Sequence, residues 1–212
     1  MTLFAVLALG FLLGMRHATD ADHVVAVTAL VSRERSARSA LALGALWGLG
    51  HTATILCVGG AIVAFGLVIP PHVGSSLELC VAFMLILLGA LNLTNGAARF
   101  ETTGFAALRR GLRPLAVGVV HGLAGSAAVA LLVLTTLRDV RSALAYLAVF
   151  GAGTVAGMLL VTATLVVPIR LAAERFASAE GVLARATGAL SLVFGLFLAY
   201  RIGFVDGLLL GN

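Results

Sequence analysis

Lysine is absent from this chain, and charge of either sign is scarce. Only 11% of the 212 residues are charged, whereas 61% are hydrophobic. Soluble domains usually have about a quarter charged residues, so this composition indicates a membrane protein. All of the positive charge comes from 14 arginines, which against nine acidic residues give a net charge of +5. In a soluble domain that charge would suggest nucleic acid as a partner, but here the positions of the arginines indicate membrane topology.

Cysteine is nearly absent too. Cys57 and Cys80 both lie in apolar runs, far from any CxxC or zinc-binding spacing, so nothing supports a disulfide framework. The chain also lacks HExxH or a comparable general-base motif, so a metalloenzyme that holds a metal to activate water is a weak alternative. We therefore do not expect an enzyme.

Long apolar runs dominate what is present. A helix needs about 20 apolar residues to cross the hydrocarbon core of a membrane. Six segments meet this length, at roughly 3–31, 40–69, 77–96, 114–137, 143–168 and 186–205. The four prolines, Pro70, Pro71, Pro114 and Pro168, fall at the ends of these runs. We interpret the start, MTLFAVLALGFLL, as a retained first span, because it has neither a basic n-region nor a cleavage site.

Arginine positions predict the orientation of these spans. The first, third and fifth loops contain Arg33, Arg35, Arg38, Arg99, Arg109, Arg110, Arg113, Arg170, Arg175 and Arg185. The second loop has no arginine, and the fourth has Arg138 and Arg141. Because positively charged loops stay in the cytoplasm, we expect a multi-pass protein of the cell (inner) membrane with both termini outside the cytoplasm.

The two halves of the chain resemble each other. RSALALGALWGLG (38–50) aligns with RSALAYLAVFGAG (141–153) at a shift of 103, and GMRHA (14–18) aligns with GVVHG (118–122) at a shift of 104. Each half has three spans, so the second copy must be inverted in the membrane, an arrangement that recurs in transporters. The sequence thus predicts an all-α integral membrane protein with six transmembrane helices as two inverted three-helix repeats, about 1–110 and 111–212, in one domain over 1–212.

One polar stretch interrupts the first span. GMRHATDADH (14–23) carries Arg16, His17, Asp20, Asp22 and His23 between apolar segments. An aspartate at the centre of a spanning helix costs about 2.5–3.5 kcal/mol, so such residues usually line a water-filled path or pair with a bound cation. The structural alternative is an ion pair between Arg16 and the aspartates.

Two histidines in other spans extend this set. His51 lies in GLGHTATI of the second span, and His121 lies in HGLAGSAA of the fourth, at the repeat position that matches His17. Each alone could be hydrogen-bonded to a neighbouring helix, but four histidines with two carboxylates favour a metal site. His72, in a predicted loop, we interpret as solvated or at most an outer metal-collecting group. Trp47 we interpret as a packing residue and Asp206 as an exposed helix end.

Helix geometry leaves the role of Asp22 open. At 100° per residue, His17, Asp20 and His23 share a stripe about 120° wide, whereas Asp22 points about 140° away from His17. Either the helix is regular and Asp22 orients a histidine of another span, or the helix unwinds here. Imidazole and carboxylate together suit Ni(II), Co(II), Zn(II) and Cu(II) better than calcium or magnesium.

These motifs resemble the nickel/cobalt transporter superfamily. Its signature His-x4-Asp-His in a transmembrane helix matches His17, Asp22 and His23, and its Gly-His-Ser/Thr motif in the next span is similar to His51 with Thr52. The resemblance implies transport of Ni(II) or Co(II) as substrate, with no permanently bound cofactor. It implies metal ligands at His17, Asp22, His23, His51 and His121, with Asp20, Arg16, Thr52 and Ser126 in support.

The third family motif, LGFDTATE, is missing. HGLAGSAA at 121–128 occupies its place and resembles the short urease-accessory, UreH-like branch. The missing carboxylates put metal identity in doubt, and the absence of a large His-rich cytoplasmic loop favours uptake. We expect the bilayer and the metal ion as partners and no nucleic acid, with a homo-oligomer left open.

Two other functions compete with uptake. An exporter of the same metals would share every coordinating residue. An intramembrane thiol redox carrier would need cysteines at repeat-equivalent positions, but Cys57 maps near Leu160 and Cys80 near Ala184.

Overall fold

The computed structural model describes residues 3–32, 34, 36–67, 69–94, 111–125, 137, 139–175 and 179–209. These residues form helices and turns, and no strand occurs among them. The helices are α1 (Leu3–His17), α2 (Ala21–Val31), α3 (Ala37–Thr54), α4 (Gly60–Phe65), α5 (Pro71–Leu93), α6 (111–125), α7 (Val140–Arg175) and α8 (Ala179–Tyr200). A π-helical turn, Ile55–Gly59, joins α3 to α4, and a second, Arg201–Val205, extends α8.

The outer surface of the helices is apolar. Phe4, Leu87, Val193 and Phe197 are each more than half exposed, as expected of side chains that face lipid tails rather than water. Ala37–Phe65, Pro71–Leu93, Val140–Ala172 and Gly181–Val205 are each long and apolar enough to cross a membrane, and α1 with α2 makes a fifth, bent candidate. The chain is therefore an all-helical, multi-pass membrane protein.

The first predicted span, 3–31, is two helices rather than one. α1 ends at His17 and α2 begins at Ala21, with a bend of 56° between them. Asp20 adopts an extended backbone (φ −61°, ψ 147°) as the residue that precedes α2. The carbonyl of Arg16 accepts from the backbone N–H of Thr19 at 2.8 Å and from the hydroxyl of Thr19 at 2.6 Å. A turn bond and a side chain thus satisfy this carbonyl where the helix breaks. Of the two alternatives for this stretch, the unwound helix is the one observed.

Glycine brings α1 against α7. A Cβ on Gly14 would overlap the carbonyl oxygen of Phe150, and one on Gly153 would overlap that of Phe11. Only a missing side chain permits this backbone approach. The pair places the end of α1, where the polar stretch begins, directly against the middle of α7.

The contact between α3 and α6 is built in the same way. A Cβ on Gly118 would overlap the carbonyl oxygen of Trp47, and one on Gly50 would lie 2.5 Å from that of Leu115. His51 lies one turn after Trp47, and His121 lies one turn after Gly118. The close approach of the two helices therefore brings these histidines close together.

Helices α3 and α7 cross between these two pairs. A Cβ on Gly48 would lie 3.1 Å from the Cα of Val155, and one on Gly151 would overlap the side chain of Thr52. Thr52 also donates from Oγ1 to the carbonyl of Gly151 at 3.0 Å. Polar hydrogen bonds of this kind tie helices together where no water is present.

Helices α5 and α8 form the other side of the molecule. A Cβ on Gly89 would lie 2.5 Å from the backbone nitrogen of a residue in α8, and Ser191 Oγ donates to the carbonyl of Leu85 at 2.8 Å. Asn92 Nδ2 donates to the carbonyl of Ala29 at 2.7 Å, which ties α5 to α2.

The position of Pro168 differs from the sequence prediction, and the number of spans stays a prediction. Pro168 lies inside α7 rather than at its end; internal proline is tolerated in membrane helices because neighbouring groups satisfy the freed carbonyl. The count of six spans stays a prediction, because most of the second half of predicted span 114–137 lies outside the described residues and α6 covers its first part.

Candidate metal centre

Four helix segments bring the histidines together. His17 is the last residue of α1, and His23 lies in the first turn of α2, after the break. His51 comes from α3 and His121 from α6. The bend sets the rings of His17 and His23 edge to face, with centroids 4.6 Å apart.

The other two rings complete a compact group, which we call the histidine cluster (His17, His23, His51 and His121). The ring of His51 is 5.2 Å from those of both His17 and His23. The ring of His121 is 4.8 Å from that of His23. His23 therefore lies at the centre of the cluster.

Two sets of metal-binding atoms share His23. One set is His17, His23 and His51; the other is Asp22, His23 and His121. Within each set the candidate ligand atoms lie within 4.8 Å of one another. Ligands on opposite sides of a metal ion with bonds of about 2.1 Å are about 4.2 Å apart, so small side-chain movements suffice for either set to close on one ion.

Neighbouring acceptors hold three of the rings by Nδ1. His17 donates to the carboxylate of Asp20 at 2.8 Å, His23 faces the carboxylate of Asp22 at 3.2 Å, and His121 donates to the carbonyl of Val117 at 3.1 Å. Histidines that bind metals usually donate their second nitrogen to a carboxylate or carbonyl, which fixes the tautomer. Each Nε2 is then left with its lone pair available.

These free nitrogens are buried. Nε2 of His17, His23 and His121 and both nitrogens of His51 have no hydrogen-bond partner among the described residues. His51 is fully buried, and His23 and His121 are each 2% exposed. Buried polar atoms are nearly always satisfied, so unpartnered nitrogens on four neighbouring histidines indicate a site that a cation or water fills.

Two aromatic side chains enclose the cluster. Trp47 is fully buried, with its ring stacked on His23 at 5.6 Å and edge-on to His121 at 5.2 Å. Phe150 lies 5.6 Å from His17. Sequence reasoning treated Trp47 as ordinary packing, although it precedes His51 by four residues and so shares its helix face.

Comparison with known proteins identifies a relative of this chain. The chain is 36% identical to the urease accessory protein UreH of Bacillus sp. (strain TB-90), over 97% of this chain and 95% of that protein. The chain belongs to the UreH family. No model of a protein family matches the chain, and no solved structure matches it.

The four residues predicted to support the metal site in this UreH-family chain differ in where they lie. Arg16 is exposed, and in the described part of the chain the aspartates pair with histidines rather than with Arg16. Asp20 is 53% exposed and holds His17. Thr52 binds α7 instead of the cluster. Ser126 lies outside the described residues.

Asp22 reaches two histidines. One carboxylate oxygen faces Nδ1 of His23, and the other lies 3.6 Å from Nε2 of His121. Its charge is therefore placed between α2 and α6, where it can either bind a metal ion or orient the two rings. His72 is exposed in the first turn of α5 and does not belong to the cluster.

A cavity of about 330 Å³ leads away from the cluster in this UreH-family chain. It is lined by His17, Asp22, His23 and His121 and also by Glu78, Arg201 and Asp206. His23 and His121 are buried and mark its inner end, whereas the exposed Glu78, Arg201 and Asp206 mark its far end. Sequence reasoning missed Glu78 and Arg201, although both are charged residues inside predicted spans, and such residues are functional by default. Asp206, predicted to be only an exposed helix end, belongs to the same end of the cavity.

Proposed function

We propose that this chain carries a divalent transition-metal ion, Ni(II) in the first place, into the cell through the histidine cluster. The observation that carries the proposal is the convergence of four histidines, with buried and unpartnered Nε2 atoms among the described residues, at the break of a membrane span. In this proposal the metal is cargo and the protein is not an enzyme.

The ligand chemistry supports a transition metal. Imidazole nitrogen with a carboxylate suits Ni(II), Co(II), Zn(II) and Cu(II), whereas calcium and magnesium prefer oxygen alone. Nickel is favoured by the name of the similar protein, an accessory of urease, and by the signature formed by His17, Asp22 and His23. Co(II) is the second candidate for the same site.

The proposed architecture is six spans in two inverted repeats. With the shifts of 103 and 104 found in the sequence, Gly14 corresponds to Gly118, and Phe150 corresponds to Trp47. Gly14 packs on Phe150, and Gly118 packs on Trp47. The contact of α1 with α7 is thus repeated by the contact of α6 with α3, which supports the repeat.

Other glycine contacts follow the same correspondence. Gly153 packs on the carbonyl of Phe11, and its counterpart Gly50 packs on the carbonyl of Leu115, the counterpart of Phe11. Between α3 and α7 the equivalent pairs are Gly48 with Val155 and Gly151 with Thr52. Chance resemblance between glycine-rich helices does not account for matched partners, so these pairs also favour two repeats around a central site.

The break between α1 and α2 gives this site its mechanism. Irregular backbone inside a membrane occurs where it lines a cavity, and broken helices form ion sites near the midplane of many transporters. A hydrated ion exchanges water for the Nε2 atoms of the histidine cluster, while the carboxylates of Asp20 and Asp22 hold the rings in place. Relative movement of the two halves then opens the site to the other side.

The membrane potential is sufficient to drive uptake. With both termini outside the cytoplasm, as the arginine positions predict, two positive charges move inward. At a potential of 100 mV this movement yields about 4.6 kcal/mol, enough for roughly a two-thousand-fold gradient. A co-transported ion is therefore not required.

Metal flux into proteoliposomes with a trapped metal-sensitive dye tests the proposal. We expect saturable Ni(II) or Co(II) flux for the wild type and flux below about a tenth of it for His17→Ala, in line with the loss that a missing metal ligand causes. His72→Ala is the matched control, because it removes an exposed histidine outside the cluster, and should transport normally. Equal flux in His17→Ala, or the absence of both flux and metal binding in the wild type, would contradict the proposal.

A further inference from the structure

The far end of the cavity lies at one face of the molecule. Glu78 is exposed and lies seven residues after the first residue of α5, about 10 Å along the helix axis. Arg201 and Asp206 begin and follow the π-helical turn after α8, and their side chains are 60% and 45% exposed. We call these three residues the cavity mouth.

The cavity joins this mouth to groups that need a partner. Its inner end includes His23 and His121, whose Nε2 atoms are buried and have no hydrogen-bond partner among the described residues. His51 does not line the cavity, and its ring lies 5.2 Å from the rings of His17 and His23, which do. An ion that arrives from the mouth therefore meets the set of Asp22, His23 and His121 before it can reach His51.

The mouth carries charges of both signs. Glu78 and Asp206 supply two carboxylates, and Arg201 Nε lies 3.9 Å from a carboxylate oxygen of Asp206. Between mouth and cluster the wall is apolar, with Val81, Phe194 and Leu198 among its residues. Carboxylates at the opening of a low-dielectric cleft concentrate cations there, whereas the guanidinium of Arg201 opposes them.

We propose that the cavity is the entrance for the metal ion, that Glu78 and Asp206 collect the hydrated divalent cation at its mouth, and that Arg201 limits this collection. The inference rests on the proposed function. It adds the route that the metal ion takes, the side of the membrane from which it enters and the residues that capture it. The mouth lies where α5 begins and α8 ends, the end of both helices that the arginine positions predict to be outside the cytoplasm. The structure is then the outward-open state of an importer.

Thiol labelling tests the route without reference to transport. In a background with Cys57→Ser and Cys80→Ser, Leu198→Cys places a thiol on the cavity wall, and Phe197→Cys places one on the lipid-facing side of the same helix. A membrane-impermeant cationic methanethiosulfonate should modify L198C in spheroplasts at least about tenfold faster than F197C, because a thiol surrounded by lipid stays un-ionised. In inverted vesicles L198C should be protected.

Kinetics in proteoliposomes test the capture residues. Glu78→Gln and Asp206→Asn should each raise the KM for Ni(II) about threefold or more with kcat unchanged, and Arg201→Gln should lower KM. Effects of opposite sign exclude simple misfolding. The matched control is Asp139→Asn, because Asp139 is exposed outside the cavity and accepts hydrogen bonds from the backbone of Ser142 and Arg141, a capping role that asparagine keeps.

Each result has a defined meaning. Labelling of L198C only in inverted vesicles, equal labelling of L198C and F197C, or an unchanged KM in the three mouth variants would overturn the entrance. Normal wild-type flux with an unlabelled L198C would overturn the entrance alone. An outward-labelled L198C in a protein without metal flux would overturn the proposed function, and the entrance with it.

Discussion

At the scale of single residues, the geometry of each imidazole decides what the site can do. His17, His23 and His121 each direct Nδ1 at an acceptor within four residues along the chain, so all three present Nε2. His51 has no such acceptor among the described residues and is held by packing alone. We infer that His51 has the greatest freedom to follow an ion through the site.

Trp47 would report metal binding at the proposed site. It is the only tryptophan of the chain, and its ring lies within 5.6 Å of the rings of His23 and His121. Ni(II) and Co(II) quench nearby indole fluorescence through their partly filled d shells, whereas Zn(II) has a filled shell and should quench little. We expect saturable quenching of the purified protein by Ni(II), measured in a fluorescence titration.

Two variants give this titration its contrast. His23→Ala should abolish saturable quenching, since His23 belongs to both candidate ligand sets. His72→Ala should titrate like the wild type. Unchanged quenching in His23→Ala would mean that the metal binds elsewhere.

The residue types of the site were predictable from the sequence, but their arrangement was not. Histidines and aspartates stand out in an apolar chain, and their clustering in space follows the expected set of His17, His23, His51 and His121. A regular helix would point Asp22 away from His17. The break at residues 18–20 changes this direction, and it depends on local hydrogen bonds that hydrophobic periodicity does not encode.

At the scale of elements, glycine positions determine how the helices meet. Gly14 and Gly118 each allow a neighbouring backbone to approach so closely that a Cβ would overlap it. Each lies three residues before a histidine of the cluster, so the close approach also sets the depth at which that histidine enters the site.

Equivalent glycines should respond equally to substitution. Gly14→Ala and Gly118→Ala should each destabilise the protein by about 1–3 kcal/mol, the usual cost of overpacking, and lower the melting temperature in detergent by similar amounts. Gly74→Ala is the control, because a Cβ there meets no other atom within 4 Å. A large effect at Gly14 with none at Gly118 would contradict the inverted repeat.

At the scale of the whole molecule, the protein places polar groups inside and apolar groups outside. Composition was enough to predict an all-helical membrane protein, because scarce charge and long apolar runs leave few other folds. The cavity could not be predicted in this way. Glu78 and Arg201 are far apart in sequence and line one cavity only because α5 packs antiparallel to α8, a pairing that no local pattern specifies.

The histidine cluster exists only in the assembled fold, since its members come from α1, α2, α3 and α6. X-ray absorption at the nickel edge of the Ni(II)-loaded protein tests this central claim most directly. We predict a first shell dominated by nitrogen at about 2.0–2.1 Å, with the outer-shell scattering of several imidazoles, and the loss of one imidazole in His51→Ala. A first shell of oxygen alone, unchanged in His51→Ala, would contradict the account.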